Sequence, residues 1–288
     1  MASLLKHIPN LLYSIFKRPT EDILEYEFEE SKKSILVDTK KLKKFNHFFG
    51  YTDFSKIHSS FWYPALFEIH LPLMLKVDFP IPLMGLVHVF NKIDIYHVVS
   101  TQLPLDYKVN VKLRAGSGGS IILESITEIY QVDQLVVKCE SHNAYLSSKK
   151  STHPKKDTIH KEFKYKNESD VISFASNLSN RYAAVSGDKN PIHLSDTLAK
   201  LFGFKHKVLH GWCSISTVIA YFEQHCNWSI ISFSVKFIKP VFLPNNVIID
   251  YTVSADGFVN FRLRSVDTST IFLVGDAICS NFAKHDIK

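Results

Sequence analysis

Asp188 and His193 stand five residues apart in Gly187-Asp188-Lys189-Asn190-Pro191-Ile192-His193, and His210-Gly211-Trp212 follows a short way downstream. A carboxylate and an imidazole held on one water can share its proton, one acting as base and the other as acid. Pro191 fixes its own φ and keeps Asn190 out of helix, while Gly187 permits the backbone angles of a tight turn. Such a turn presents both side chains to one pocket. Gly211 opens an apolar stretch of helical spacing, and the N–H groups at a helix N-terminus can hold a developing oxyanion. The combination suits proton transfer beside a carbonyl group.

Two similar runs of elements are available to position these residues. In the first, residues 24–38 read as an alternating strand and a second short one, Thr39 to Phe49 as a Lys-rich helix, and Phe61 to Lys76 as a helix buried on most faces. Strands centred on Leu86–Phe90, Tyr107–Leu113, Ile121–Ile126 and Leu135–Cys139 follow. The second run has strand character over His160–Lys166, a short helix over Asp170–Leu178, and a helix capped by Ser195 and stopped by Gly203. The helix opened by Gly211 carries Ile215, Val218, Ile219, Phe222 and Cys226 on one face, and strands over Ser232–Ile238, Val247–Val253, Phe258–Arg264 and Ile271–Ala277 complete the run. Leu86–Lys92 and Phe233–Lys239 hold the same place in the order, so the chain reads as an internal duplication of an α+β unit. The boundaries that follow are an N-terminal amphipathic segment at 1–23, a first unit at 24–146, a polar basic linker at 147–158 and a second unit at 159–283.

Composition narrows the class of function. The 288 residues are 45% hydrophobic, enough for two cores, and the net charge of +6 is scattered among acidic residues, which does not favour a nucleic-acid partner. Cys139, Cys213, Cys226 and Cys279 form no CxxC or Cys/His pattern and read as reduced thiols in a reducing, cytoplasmic setting. No apolar run is long enough for a membrane span. Residues 3–18 form a basic amphipathic stretch that reads first as a helix packed on the body, with peripheral membrane association or organelle targeting as alternatives.

The window Tyr182-x-x-Val185-Ser186-Gly187-Asp188-x-Asn190-Pro191-Ile192-His193, with Ala199 and His210-Gly211 beyond it, resembles the MaoC-like or hydratase 2 branch of the hot-dog fold. Asp78-Phe79-Pro80-Ile81-Pro82-Leu83-Met84-Gly85-Leu86-Val87-His88 is similar to the first half of the single-chain, double hot-dog members, so the resemblance spans roughly residues 30–282. It implies a double hot-dog architecture, two helix-wrapped antiparallel sheets in one chain. It also implies reversible addition of water across a trans-2-enoyl thioester, giving the (3R)-hydroxyacyl thioester, within fatty-acid metabolism. Asp188 and His193 would be the catalytic pair, Asn190 would help position the water, and the Gly211 N–H would serve the thioester oxygen. No metal or other cofactor is implied; the substrate would be an acyl-CoA or an acyl carrier protein thioester. Trp212 departs from the smaller or thioether side chain usual beside that glycine.

Other residues divide between support and contact. Tyr182 and Ser186 read as supports of the turn, with Ser186, Gly187, His210, Trp212 and Lys189 as candidates for lining the substrate site. His210 reads equally as a cap of the following helix. Lys189, Lys205, His206 and Lys207 could meet phosphates, although exposed lysines are usually only solvated. Phe61, Trp62 and Phe67 read as core before acyl tunnel. In the first half, Asp53-Phe54-Ser55-Lys56-Ile57-His58 keeps the Asp-to-His spacing without the glycine or the Asn-Pro, and reads as a degenerate copy. A catalytically idle thioester-binding protein and a hot-dog thioesterase remain as alternatives, and monomer and homodimer both stay open.

Overall fold

The computed structural model describes residues 26–145 and 164–280 apart from residues 55, 77–78, 83–85 and 202. The amphipathic segment at 1–23 and the linker at 147–158 lie outside the described residues, as does most of the strand expected over His160–Lys166.

The first half contains strand β1 (Glu27–Ile35), helix α1 (Thr39–Phe48), a 3₁₀ turn at Ser59–Phe61 running into α2 (Trp62–Met74), and strands β2 (Leu86–Ile95), β3 (Leu105–Ala115), β4 (Ile121–Gln131) and β5 (Gln134–Tyr145). The second contains β6 (Asn167–Glu168), β7 (Ile172–Phe174), α3 (Leu178–Ser186), α4 (Pro191–Leu194), α5 (Asp196–Leu201), α6 (Gly211–Gln224), β8 (Ile230–Phe237), β9 (Asn245–Val253), β10 (Phe258–Ser265) and β11 (Ile271–Cys279). Three expectations are corrected. Of the two strands expected over residues 24–38, the described residues 26–38 hold one, Glu27–Ile35, because Ser34 at φ 58° makes an irregularity between Lys32 and Ile35 that β1 absorbs. Asp170–Leu178 is not a helix: Ile172–Phe174 pairs with β9, burying Phe174. The helix after Gly211 ends at Gln224, two residues before Cys226.

The described strands join one antiparallel sheet in the order β1-β3-β4-β5-β2-β8-β11-β10-β9-β6, with β7 also on β9. Each half repeats the other about the β2–β8 seam, where Asn91 pairs with Val235 and Ile93 with Phe233. A long apolar helix packs in each half because a sheet with one dry face must be covered. α6 buries Trp212, Cys213, Ile215, Val218, Ile219 and Phe222 at helical spacing. The four cysteines are free, as expected. Among the described residues no helix is long and apolar enough to cross a membrane.

Candidate active site

The turn is built from helix ends. α3 stops at Gly187, which adopts φ 84° and donates its N–H to the Ala183 carbonyl. Ser186 is buried and accepts the Asp188 N–H at 3.2 Å. One carboxylate oxygen of Asp188 accepts the Asn190 N–H at 3.0 Å, and the Asn190 amide oxygen in turn accepts the Ile192 N–H at 3.3 Å as the cap of α4. Asn190 therefore holds the turn with its oxygen, which accepts the Ile192 N–H. Pro191 sits at the start of α4, where its missing N–H has no intrahelical partner to lose.

His193 is oriented from behind. Its Nδ1–H donates to the Val208 carbonyl at 2.8 Å, which leaves Nε2 with the free lone pair. Burial lowers its pKa, and the Asp188 charge and the Val208 bond only partly oppose that. At neutral pH His193 is a neutral base. Its ring stacks on His210, centroids 3.8 Å apart and planes inclined by 25°.

His210 precedes α6 at the cap position, but its side chain does not cap the helix. Its Nε2–H donates to the Asp188 carbonyl at 3.0 Å, and its Nδ1 lies 3.3 Å from the Ser179 hydroxyl. Burial and the neighbouring His193 lower its pKa, so it too is neutral. Asp188, His193 and His210 bring one potential ligand atom each within 4.8 Å of the others. Both His210 nitrogens are already engaged, Nε2 by the Asp188 carbonyl and Nδ1 by the Ser179 hydroxyl.

Gly211 is the first residue of α6, where the N–H has no intrahelical acceptor. A Cβ on Gly211 would come within 2.9 Å of the Phe237 ring. Only glycine lets the helix start this close to β8. Trp212 is buried in the seam, donating Nε1–H to the Ser60 carbonyl at 2.8 Å and stacking on Tyr63 at 4.4 Å. Lys189 is exposed beside the turn, and Lys205 and His206 are exposed further along.

The structure thus gathers Asp188, His193, His210 and the head of α6, and uses Ser186, Gly187 and Trp212 as supports. It adds residues that the linear sequence does not signal. Tyr63 on α2 and His88 on β2 both feel the Asp188 charge and stack within 4.9 Å of each other, and His88 lies 5.0 Å from Phe237. The first half supplies one wall of the site. Tyr63 lies in no motif, and His88 closes the stretch Asp78–His88 without a spacing that ties it to Asp188; tertiary pairing brings both there.

The degenerate copy in the first half is aligned differently from its spacing. His58 has φ −55° and ψ 128° and precedes the turn into α2, while His210 has φ −55° and ψ 126° before α6. Gly50 has the same φ of 84° as Gly187. His58 is therefore the counterpart of His210, and Tyr51 stands where Asp188 does. The fully buried His58 is pushed down to about 3 by burial and caps its own turn by accepting the Ser60 N–H.

Residues 154–271 match the family model described as "MaoC like domain". The chain is 27% identical over 201 residues to 3-hydroxyacyl-thioester dehydratase X of Mycobacterium tuberculosis, covering 68% of this chain and 69% of that one. It is 33% identical over 95 residues to the peroxisomal multifunctional enzyme type 2 of Drosophila melanogaster, 32% of this chain and 16% of that protein. The crystal structure of HtdX of Mycobacterium tuberculosis superposes with a TM-score of 0.73 at 21% identity, covering 87% of this chain and 99% of that one. The chain has the double hot-dog fold, and its residues 154–271 match the MaoC-like domain.

Proposed function

We propose that the protein hydrates trans-2-enoyl thioesters to (3R)-hydroxyacyl thioesters, and catalyses the reverse dehydration, with Asp188 and His193 as its catalytic pair. The observation that carries this reading is the His193 tautomer: with Nδ1–H committed to Val208, a neutral Nε2 is available as base near the Asp188 carboxylate. The likeness to a 3-hydroxyacyl-thioester dehydratase supports the reaction class.

In the hydration direction, a water held between Asp188 and His193 adds its oxygen to the β-carbon as His193 Nε2 takes its proton. The electron pair of the carbon–carbon double bond moves toward the thioester carbonyl, whose oxygen becomes enolate and is received by the Gly211 N–H at the head of α6. The imidazolium, stabilised by Asp188, then returns the proton to the α-carbon. Every atom of the water ends on the product, and His193 is regenerated neutral. His210 keeps Asp188 in place through its carbonyl, and Asn190 shapes the turn that carries the pair. The cycle calls on no metal or redox group. The thioester carrier, CoA or an acyl carrier protein, lies outside this chemistry.

Incubation with crotonyl-CoA tests the reading. It expects loss of enoyl absorbance, formation of (3R)-hydroxybutyryl-CoA on chiral analysis, and no free thiol. Stoichiometric release of CoA would instead identify a thioesterase, and binding without turnover an idle thioester-binding protein.

A further inference from the structure

The head of α2 repeats the head of α6. Gly50 and Gly187 both take φ 84°, and His58 and His210 share their backbone angles, so Ser59 stands where Gly211 does. From Ser59 the helical backbone runs unbroken into α2, since Phe61 and Trp62, at φ −65° and −59°, are both helical. The Ser59 N–H is therefore the first-half copy of the donor assigned above to the thioester oxygen. Like that donor, it has no intrahelical acceptor.

The protein itself occupies this copy. The carboxyl group of Glu223, near the end of α6, receives the Ser59 N–H and contacts the hydroxyls of Ser59 and of Tyr51, the residue in the place of Asp188. Little positive charge stands against it. His58 Nδ1 lies 3.9 Å away but is neutral, because burial pushes that ring down to about 3, and Lys56 has the weakest effect on the carboxyl. Donors without a cation suit an acyl carbonyl or a carboxylic acid better than a charged carboxylate, and burial indeed raises Glu223 to about 7. The Ser59 hydroxyl fits the same state. It also reaches the Ile230 carbonyl at 3.0 Å, and with its single proton given there, its oxygen can accept one from a protonated carboxyl.

The active half differs at this point. At the same distance from His58 that Glu223 keeps from His210, α2 carries Leu71, so that position offers no carboxyl to the head of α6. The Glu223 side chain keeps 12% exposure, which puts its place within reach of solvent. Beside it, Gln224 donates to the Phe49 carbonyl at 2.7 Å and ties the end of α6 to the first half independently of Glu223.

We propose that the head of α2 is a second acyl-binding site, one that takes a short carboxylic acid, and that the Glu223 side chain fills it as a tethered occupant. The intact chain then has this site closed from within. Cutting Glu223 back to its Cβ leaves room for the two-carbon acid that the lost atoms amount to.

Glu223→Ala tests this by thermal melting at about pH 5, in acetate and in sodium chloride of equal ionic strength. A ligand that binds only the folded chain raises its melting temperature. In about 100 mM acetate the variant should melt roughly 2 °C or more above its value in chloride. The wild type and Glu223→Leu, whose side chains fill the place, should not move. Adding Ser59→Pro to Glu223→Ala should abolish the response by removing both the N–H and the hydroxyl. Proline suits the first helical position, and His58 at ψ 128° already has the angle of a residue before proline. Glu223→Ser serves where Glu223→Ala does not fold. A variant no more responsive than the wild type overturns the site, as does a response that survives Ser59→Pro. Melting reads no turnover, so this outcome and the failure of the hydratase reading are separate results.

Discussion

His210 holds Asp188 by its backbone, through Nε2–H to the carbonyl at 3.0 Å, while its ring lies flat against His193 at 3.8 Å. One buried imidazole thus touches both members of the proposed catalytic pair, Asp188 through its backbone and His193 through its ring. His210→Phe should keep the stacking and lose the bond. Misplacing reacting groups by fractions of an ångström is expensive, so kcat should fall roughly 10- to 100-fold with KM little changed. A matching rise in KM alone would place His210 in substrate binding instead.

The state of His193 makes the reaction pH-dependent with a defined sign. Burial lowers its pKa below the usual 6.5, and the neutral form is the base in the proposed hydration. The acid limb of kcat/KM should therefore have its midpoint below pH 6.5, with activity lost as pH falls through it. Because the Asp188 charge opposes that lowering, the His193 signal in Asp188→Asn should titrate lower still by NMR. An upward move would contradict the pairing.

At the head of α6, Gly211→Ala places a methyl 2.9 Å from the Phe237 ring. The helix start must shift or the ring must move. Loss of activity with the fold retained is expected, and Phe237→Leu in the same chain should restore part of it by making room. Failure of the double variant to recover anything would show that the loss does not come from this contact.

Glu223 sits across the seam from the first half, accepting hydrogen bonds from the hydroxyls of Tyr51 and Ser59. Burial raises its carboxyl to about 7 from the 4.5 of a free one, against the lowering effect of those bonds. Between those values the folded chain keeps a proton that the unfolded chain has released, so stability falls as pH rises through that window. The charged form above neutrality costs on the order of 3 kcal/mol. Glu223→Gln should melt higher than the wild type at pH 8.5, and the difference should vanish toward pH 4. An equal difference at both would contradict this account.

Much of this site is written locally. Gly187, Pro191 and the Asp-to-His spacing specify a turn that any surrounding fold would present, and the apolar periodicity from Ile215 to Phe222 marks the helix behind it. The strands are legible for the same reason, since alternation survives wherever one face is dry. Residues 172–174 escaped because three residues carry no period, and pairing with β9 decided their state. That Tyr63 and His88 stand beside Trp212 and Phe237, next to the turn, became visible only in the folded chain. His58 misled for a related reason: spacing from Asp53 suggested a copy of His193, while its backbone angles make it the copy of His210.

The central claim is that Asp188 and His193 perform the proton transfers, and the most direct measurement is the rate of crotonyl-CoA hydration by Asp188→Asn and His193→Ala beside the wild type, with melting temperatures recorded for all three. Loss of general acid–base catalysis predicts a fall of about 10²- to 10⁴-fold in kcat for each variant with folding intact. Wild-type rates in both would contradict it.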